Sequence, residues 1–174
     1  MSHPRPVKPP CKPHCDLSDY PLPPKDDHLM GDAVQDAYDA MMAARATATA
    51  KYEPDNDQQA ADKNLYNTDK ATFDGQVAAG TLVDPDKTTC SNALANAYSS
   101  WNTEYTKIVS AYDNLGAGDA KRQEGINEQN PMIKIMKYNL AKDYYNVATS
   151  RCTDAENAHT GFVGYIDTAE GILE

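Results

Sequence analysis

The stretch Cys90–Leu115, CSNALANAYSSWNTEYTKIVSAYDNL, decides the fold class. Cys90, Leu94, Ala97, Trp101, Tyr105, Ile108, Tyr112 and Leu115 recur along it at spacings of 4, 3, 4, 4, 3, 4 and 3. That is an apolar stripe close to heptad period, the mark of a helix packed against other helices. Strand patterns with alternating polarity are almost absent elsewhere. The spacing therefore predicts an all-α chain.

Proline divides the remainder. Eight of the eleven prolines fall between Pro4 and Pro24, and the other three are Pro54, Pro85 and Pro131. Asp84-Pro85 and Asn130-Pro131 read as helix openings, with the first residue capping and proline in the first turn, where its missing N–H leaves nothing unpaired. Four helices are expected: from about Asp27 to Tyr52, from about Asp55 to Ala79, from about Pro85 to Leu115, and from Pro131 towards the C-terminus. A Gly-rich connection around Gly116 and Gly118 separates the last two. A final helix of about 40 residues measures roughly 60 Å, so an elongated, uneven antiparallel bundle is expected. Its stripe reads Met132, Met136, Leu140, Tyr144, Val147, Cys152, Ala155, Phe162, Ile166 and Leu173. Gly161, Gly164 and Gly171 predict either fraying near its end or close approach of a neighbouring helix.

Two domains follow: an arm over residues 1–26 and a helical bundle over 27–174. The proline content of the arm excludes helix and central strand and favours extended, polyproline-like chain. Arg5, Lys8 and Lys12 give it positive charge, and residues 1–15 hold no acid. The rest of the chain sets 13 basic side chains against 26 acidic ones. Such a body repels nucleic acid and anionic membrane. The arm, with Arg5, Lys8, Lys12 and Tyr20, is expected to lie on the acidic surface of a neighbouring subunit or against its own helical body. With 40% apolar residues but only two Phe and one Trp, the core is expected to be thin and built from Ala and Tyr.

No apolar run is long enough to span a bilayer, and the N-terminus lacks a signal-peptide core. Synthesis in the cytoplasm is expected, with a virion as the favoured destination and an extracellular one as the alternative. Cysteines in a chain that is not exported are free thiols by default. Cys11 and Cys15 are read as thiols, with a disulfide or half of a zinc site (with His14 and His3) as alternatives. Cys90 and Cys152 lie on the stripes of the third and fourth helices. A hairpin turn centred near residue 123 brings them close enough to bridge in an oxidising setting.

Catalytic chemistry finds little purchase. There is no Gly-x-Ser-x-Gly elbow and no phosphate-binding glycine loop. Glu156-Asn157-Ala158-His159 matches the Glu-x-x-His pattern of di-iron bundles, but the other histidines (His3, His14, His28) supply no second motif. His159 is read as a partly exposed helix residue, with no metal, cofactor or catalytic residue assigned. Asp55-Asn56-Asp57 and Asp84-Pro85-Asp86 are read as helix openings. Part of the eleven tyrosines is expected at a protein–protein surface. The expected function is a non-enzymatic structural subunit that associates with copies of itself or other proteins. Bacteriophage virion components (decoration, neck or tail proteins) share this plan of acidic helical body and extended arm, an analogy of architecture alone. A secreted or surface-attached bacterial binding module and a metal-binding bundle are the alternatives.

Overall fold

The computed structural model describes residues 29–174. The arm lies outside the described residues, together with Arg5, Lys8, Cys11, Lys12, Cys15 and Tyr20. The chain is all-α among the described residues: α1 spans Leu29–Ala79, α2 Asp86–Asn127 and α3 Pro131–Leu173. Where the sequence predicts four helices there are three, because the expected first pair is one continuous helix. Pro54 stands inside α1. An interior proline costs about 3 kcal/mol through its lost N–H and its ring clash, yet Pro54 is solvent-exposed and buried positions recur at helical spacing on both sides, at Ala48, Tyr52, Gln59 and Asp62. Packing outweighs the local penalty, and Asp55-Asn56-Asp57 lies mid-helix rather than at a cap.

The other punctuation reads as expected. Asn130 Oδ1 accepts from the backbone N–H groups of Met132 (3.0 Å) and Ile133 (3.3 Å), capping α3 one residue before Pro131 takes the first position. At the end of α1, Gly80 adopts φ 70°. Its N–H bonds the Val77 carbonyl and that of Thr81 bonds the Gln76 carbonyl, the paired bonds of a Schellman cap.

The chain forms two compact units, each taking a segment of every helix. The first comprises residues 29–52 and Ser110–Ser150. Val34, Tyr38, Met41, Ala48, Tyr52, Ala111, Tyr138, Ala141, Tyr145 and Ala148 are buried in it. Here α2 continues past the expected glycine linker to Asn127. A side chain at Gly118 would place its Cβ 2.5 Å from the Tyr145 ring, and one at Gly125 would come 2.5 Å from the Tyr138 ring. These glycines are seats for buried rings of α3, and tight packing holds helical a segment whose intrinsic propensity is poor. Tyr138 also meets Tyr38 of α1 edge-on at 5.3 Å. Asp119 ties the layers together: it accepts from Arg45 Nε and from the Tyr145 hydroxyl, each at 2.7 Å.

The second unit comprises Glu53–Val109 and Arg151–Glu174. Phe73, Leu82, Cys90, Ala93, Leu94, Ala97, Trp101, Phe162, Ile166 and Ala169 form one apolar cluster. Trp101 is buried as the stripe predicts, and it stacks on Tyr105 at 5.6 Å. Trp101 also meets Tyr98, and its indole N–H donates to the Gln59 carbonyl oxygen at 2.9 Å. Lys63 lies 3.9 Å above the indole ring. α3 runs unbroken through Gly161, Gly164 and Gly171, of which only Gly161 has a neighbour, Ser100.

Gly116 and Gly118 give an internal comparison. Nothing lies within 4 Å of a Cβ at Gly116, so Gly116→Ala is expected to stabilise by up to about 1 kcal/mol through helix propensity. Gly118→Ala is expected to destabilise by about 1–3 kcal/mol, because the Tyr145 ring is fully enclosed. Urea denaturation of the two variants should give shifts of opposite sign.

Candidate functional site

Each helix of the second unit contributes one ionisable group to a common point. Asp62 comes from α1, Glu104 from α2 and His159 from α3. All three stand at core-facing positions. Glu104 interrupts the buried series Ala97, Trp101, Ile108, and His159 interrupts Cys152, Ala155, Phe162, Ile166. Asp62 Oδ2 lies 2.6 Å from His159 Nδ1, and Asp62 Oδ1 accepts from Gln58 Nε2 at 2.8 Å. Facing a carboxylate, the imidazole Nδ1–H acts as donor. His159 keeps 31% of its side-chain surface exposed, whereas Asp62 keeps 4%.

Glu104 is the buried extreme of the group, at 1% exposure. Its carboxyl is pushed up to about 9, first by burial, then by the Asp62 charge and the hydrogen bond to Asp62, and further by Asp55. At neutral pH Glu104 is therefore the protonated partner of the pair. Glu104 Oε2 is buried with no hydrogen-bond partner among the described residues. One donor atom from each of the three residues lies within 4.8 Å of the others, the one such group found among the described residues.

Sequence reasoning reached His159 and described its exposure, but not Asp62 or Glu104. Glu156, the other half of the Glu-x-x-His pattern, is exposed, and the group at the site does not include it. The available signal was a carboxylate at a heptad core position: Glu104 follows Trp101 by three residues and precedes Ile108 by four.

The expected Cys90–Cys152 pairing is corrected. Both are buried and no disulfide joins them, and Cys90 Sγ lies 4.0 Å from the Ala169 carbonyl oxygen. Lys107 meets Asp154 at 3.0 Å, which fixes the same antiparallel register. Cys152 thus sits about 25 Å along α3 from the point facing Cys90. The cause is the length of α2: its extension to Asn127 moves the turn beyond residue 123. Burial, followed by the Asp69 charge, pushes the Cys90 thiol up.

A second feature belongs to the first unit. Met132, Ile133, Met136, Leu140 and Val147 of α3 are exposed, while Tyr138, Ala141, Tyr145 and Ala148 of the same segment are buried. At 100° per residue the exposed set spans roughly 100° of the helix, on the side away from the core. The stripe expected to face inward over this segment is the one that faces solvent.

Comparison with models of known protein families, with curated proteins and with solved structures gives no match to this chain. Among the described residues, no helix is long and apolar enough to cross a membrane.

The raised Glu104 value fixes a pH dependence. Between the ordinary carboxyl range near 4.5 and about 9, the folded chain holds a proton at Glu104 that the unfolded chain releases. This group's contribution is fully present below about pH 4.5 and is lost as pH rises through about 9. Glu104→Gln, which keeps a donor towards Asp62 and cannot ionise, should match the parent in Tm at pH 5 and exceed it at pH 9, both in chelator. A Tm difference independent of pH would contradict this.

Proposed function

We propose that the protein is a non-enzymatic interaction subunit that associates with further copies of itself through the exposed face of α3 between Met132 and Val147. The observation that carries this reading is the second apolar face of that segment. The core accounts for Tyr138, Ala141, Tyr145 and Ala148 and leaves five large apolar side chains in water on another side. Singly exposed apolar residues need no explanation, but a contiguous set marks an interaction surface.

The partner fitting this face best is a like helix of a second copy. The row advances by four from Met132 to Met136 to Leu140 and reaches Val147 about 22 Å from its start. That is the geometry of a helix seam, and a two-fold pairing would match the row with itself. Lys134, Lys137 and Lys142 make this segment basic in a chain of net charge −10, so its margins also suit the acidic surface of another copy. A bacteriophage virion component (decoration, neck or tail protein) is the setting we propose, with the basic, proline-rich residues 1–26 as a second point of attachment. No nucleic acid, membrane or catalytic role is required.

Sedimentation velocity tests the reading. The full chain should be oligomeric at micromolar concentration, and Met136→Lys combined with Leu140→Lys should yield monomers of unchanged helix content. A parent chain that stays monomeric at about 100 µM, or a double variant that assembles like the parent, would refute it.

A further inference from the structure

Packing does not require Asp62, Glu104 and His159 to meet. A buried set of ionisable groups is often no more stabilising than apolar side chains of similar volume. This set also leaves Glu104 Oε2 buried without a partner among the described residues, an arrangement that ordinarily destabilises a fold. A buried carboxyl oxygen without a partner, beside a second carboxylate and an imidazole, is suited to a cation.

We propose that Asp62, Glu104 and His159 form a binding site for one divalent first-row transition-metal ion. Three observations support the assignment. The donors come from three separate helices and converge within 4.8 Å. Bonds of about 2.0–2.2 Å place donor atoms roughly 3–3.6 Å apart, so the widest pair need close by little more than 1 Å. Two carboxylates neutralise a divalent ion, and the ion supplies the buried Glu104 Oε2 with a partner that the described residues do not. Binding displaces the ligand protons and frees the imidazole from its bond to Asp62. Finally, His159 is part-exposed while the carboxylates are buried, so the ion has an approach from solvent through the imidazole edge.

The donor chemistry narrows the ion. Calcium and magnesium favour all-oxygen shells, whereas an imidazole with carboxylates suits Zn²⁺, Fe²⁺ or Co²⁺. Three protein ligands leave at least one coordination position for water. Gln58, which donates to Asp62 Oδ1, would hold the liganding carboxylate in place from outside the metal shell. This site is independent of the self-association face, since α3 supplies the two from different units.

The test is titration of the chelator-stripped full chain with Co²⁺, followed by calorimetry, visible absorption and proton NMR. One ion per chain is expected, with weak visible bands and no thiolate charge-transfer band, and with the His159 ring protons showing hyperfine shifts. Glu104→Gln and His159→Ala, checked for helix content, should each weaken binding by at least about 10–100-fold. Substitution of both Cys11 and Cys15 by Ser should leave binding unchanged. The assignment is overturned if no stoichiometric ion binds, if a thiolate band accompanies binding, or if the shifted ring signals belong to His3, His14 or His28. Unchanged affinity in folded Glu104→Gln and His159→Ala would overturn it as well. The NMR assignment on the parent chain decides the matter even if a variant fails to fold.

Discussion

One carboxylate, Asp62, holds together the polar interior of the second unit. It accepts from Gln58 on its own helix, meets the His159 imidazole from α3 and shares a proton with Glu104 of α2. Two carboxylates in one buried place cannot both be charged without a counter-charge, and the protonated Glu104 is the solution when only protons are available. Each helix of the unit thus contributes one side chain to the group centred on Asp62. A slip of one residue on any helix would separate its member from the group and leave a buried polar atom without its partner.

The first unit meets a different constraint by different means. With few large aliphatic side chains, it fills its interior with tyrosine rings, which need room and a partner for the hydroxyl. Gly118 and Gly125 supply the room. Asp119 takes the Tyr145 hydroxyl while also pairing with Arg45. Burial, and then Asp119, push the Tyr145 phenol up, so it remains a neutral donor. Tyr138 and Tyr145 of α3 thereby pack closely on α2, and the longer apolar side chains of α3 are left over for an outer surface. This division links the composition to the proposed mode of association.

Much of this was legible in the sequence, for reasons that also explain the misreadings. The α2 stripe from Cys90 to Ile108 gave the helix and the buried Trp101, because spacing reports directly which side chains share a face. Asn130-Pro131 gave a cap because the chemistry is local. Pro54 and the glycines after Leu115 misled because local propensity was read where packing decides: the solvent side tolerates Pro54, and tyrosine rings need Gly118 and Gly125. On α3, periodicity detected Met132, Met136, Leu140 and Val147 as a stripe but could not tell a core face from an exposed one. Tyrosine and alanine, less hydrophobic by type, occupy the true core. The cysteine register failed with the helix length. The carboxylate pair stayed hidden because Asp62 and Glu104 are distant in sequence and unremarkable singly; only three-dimensional packing joins them to His159.

The claim on which this account rests is that Glu104 keeps its proton beside the Asp62 carboxyl. Carbon-13 NMR of the side-chain carboxyls across pH, in metal-free protein, measures it directly. The account predicts that the Glu104 signal shows no ionisation at pH 7 and titrates near 9. A Glu104 signal that titrates with ordinary glutamates near 4.5 would contradict it, and the shared-proton pairing in the interior would have to be abandoned.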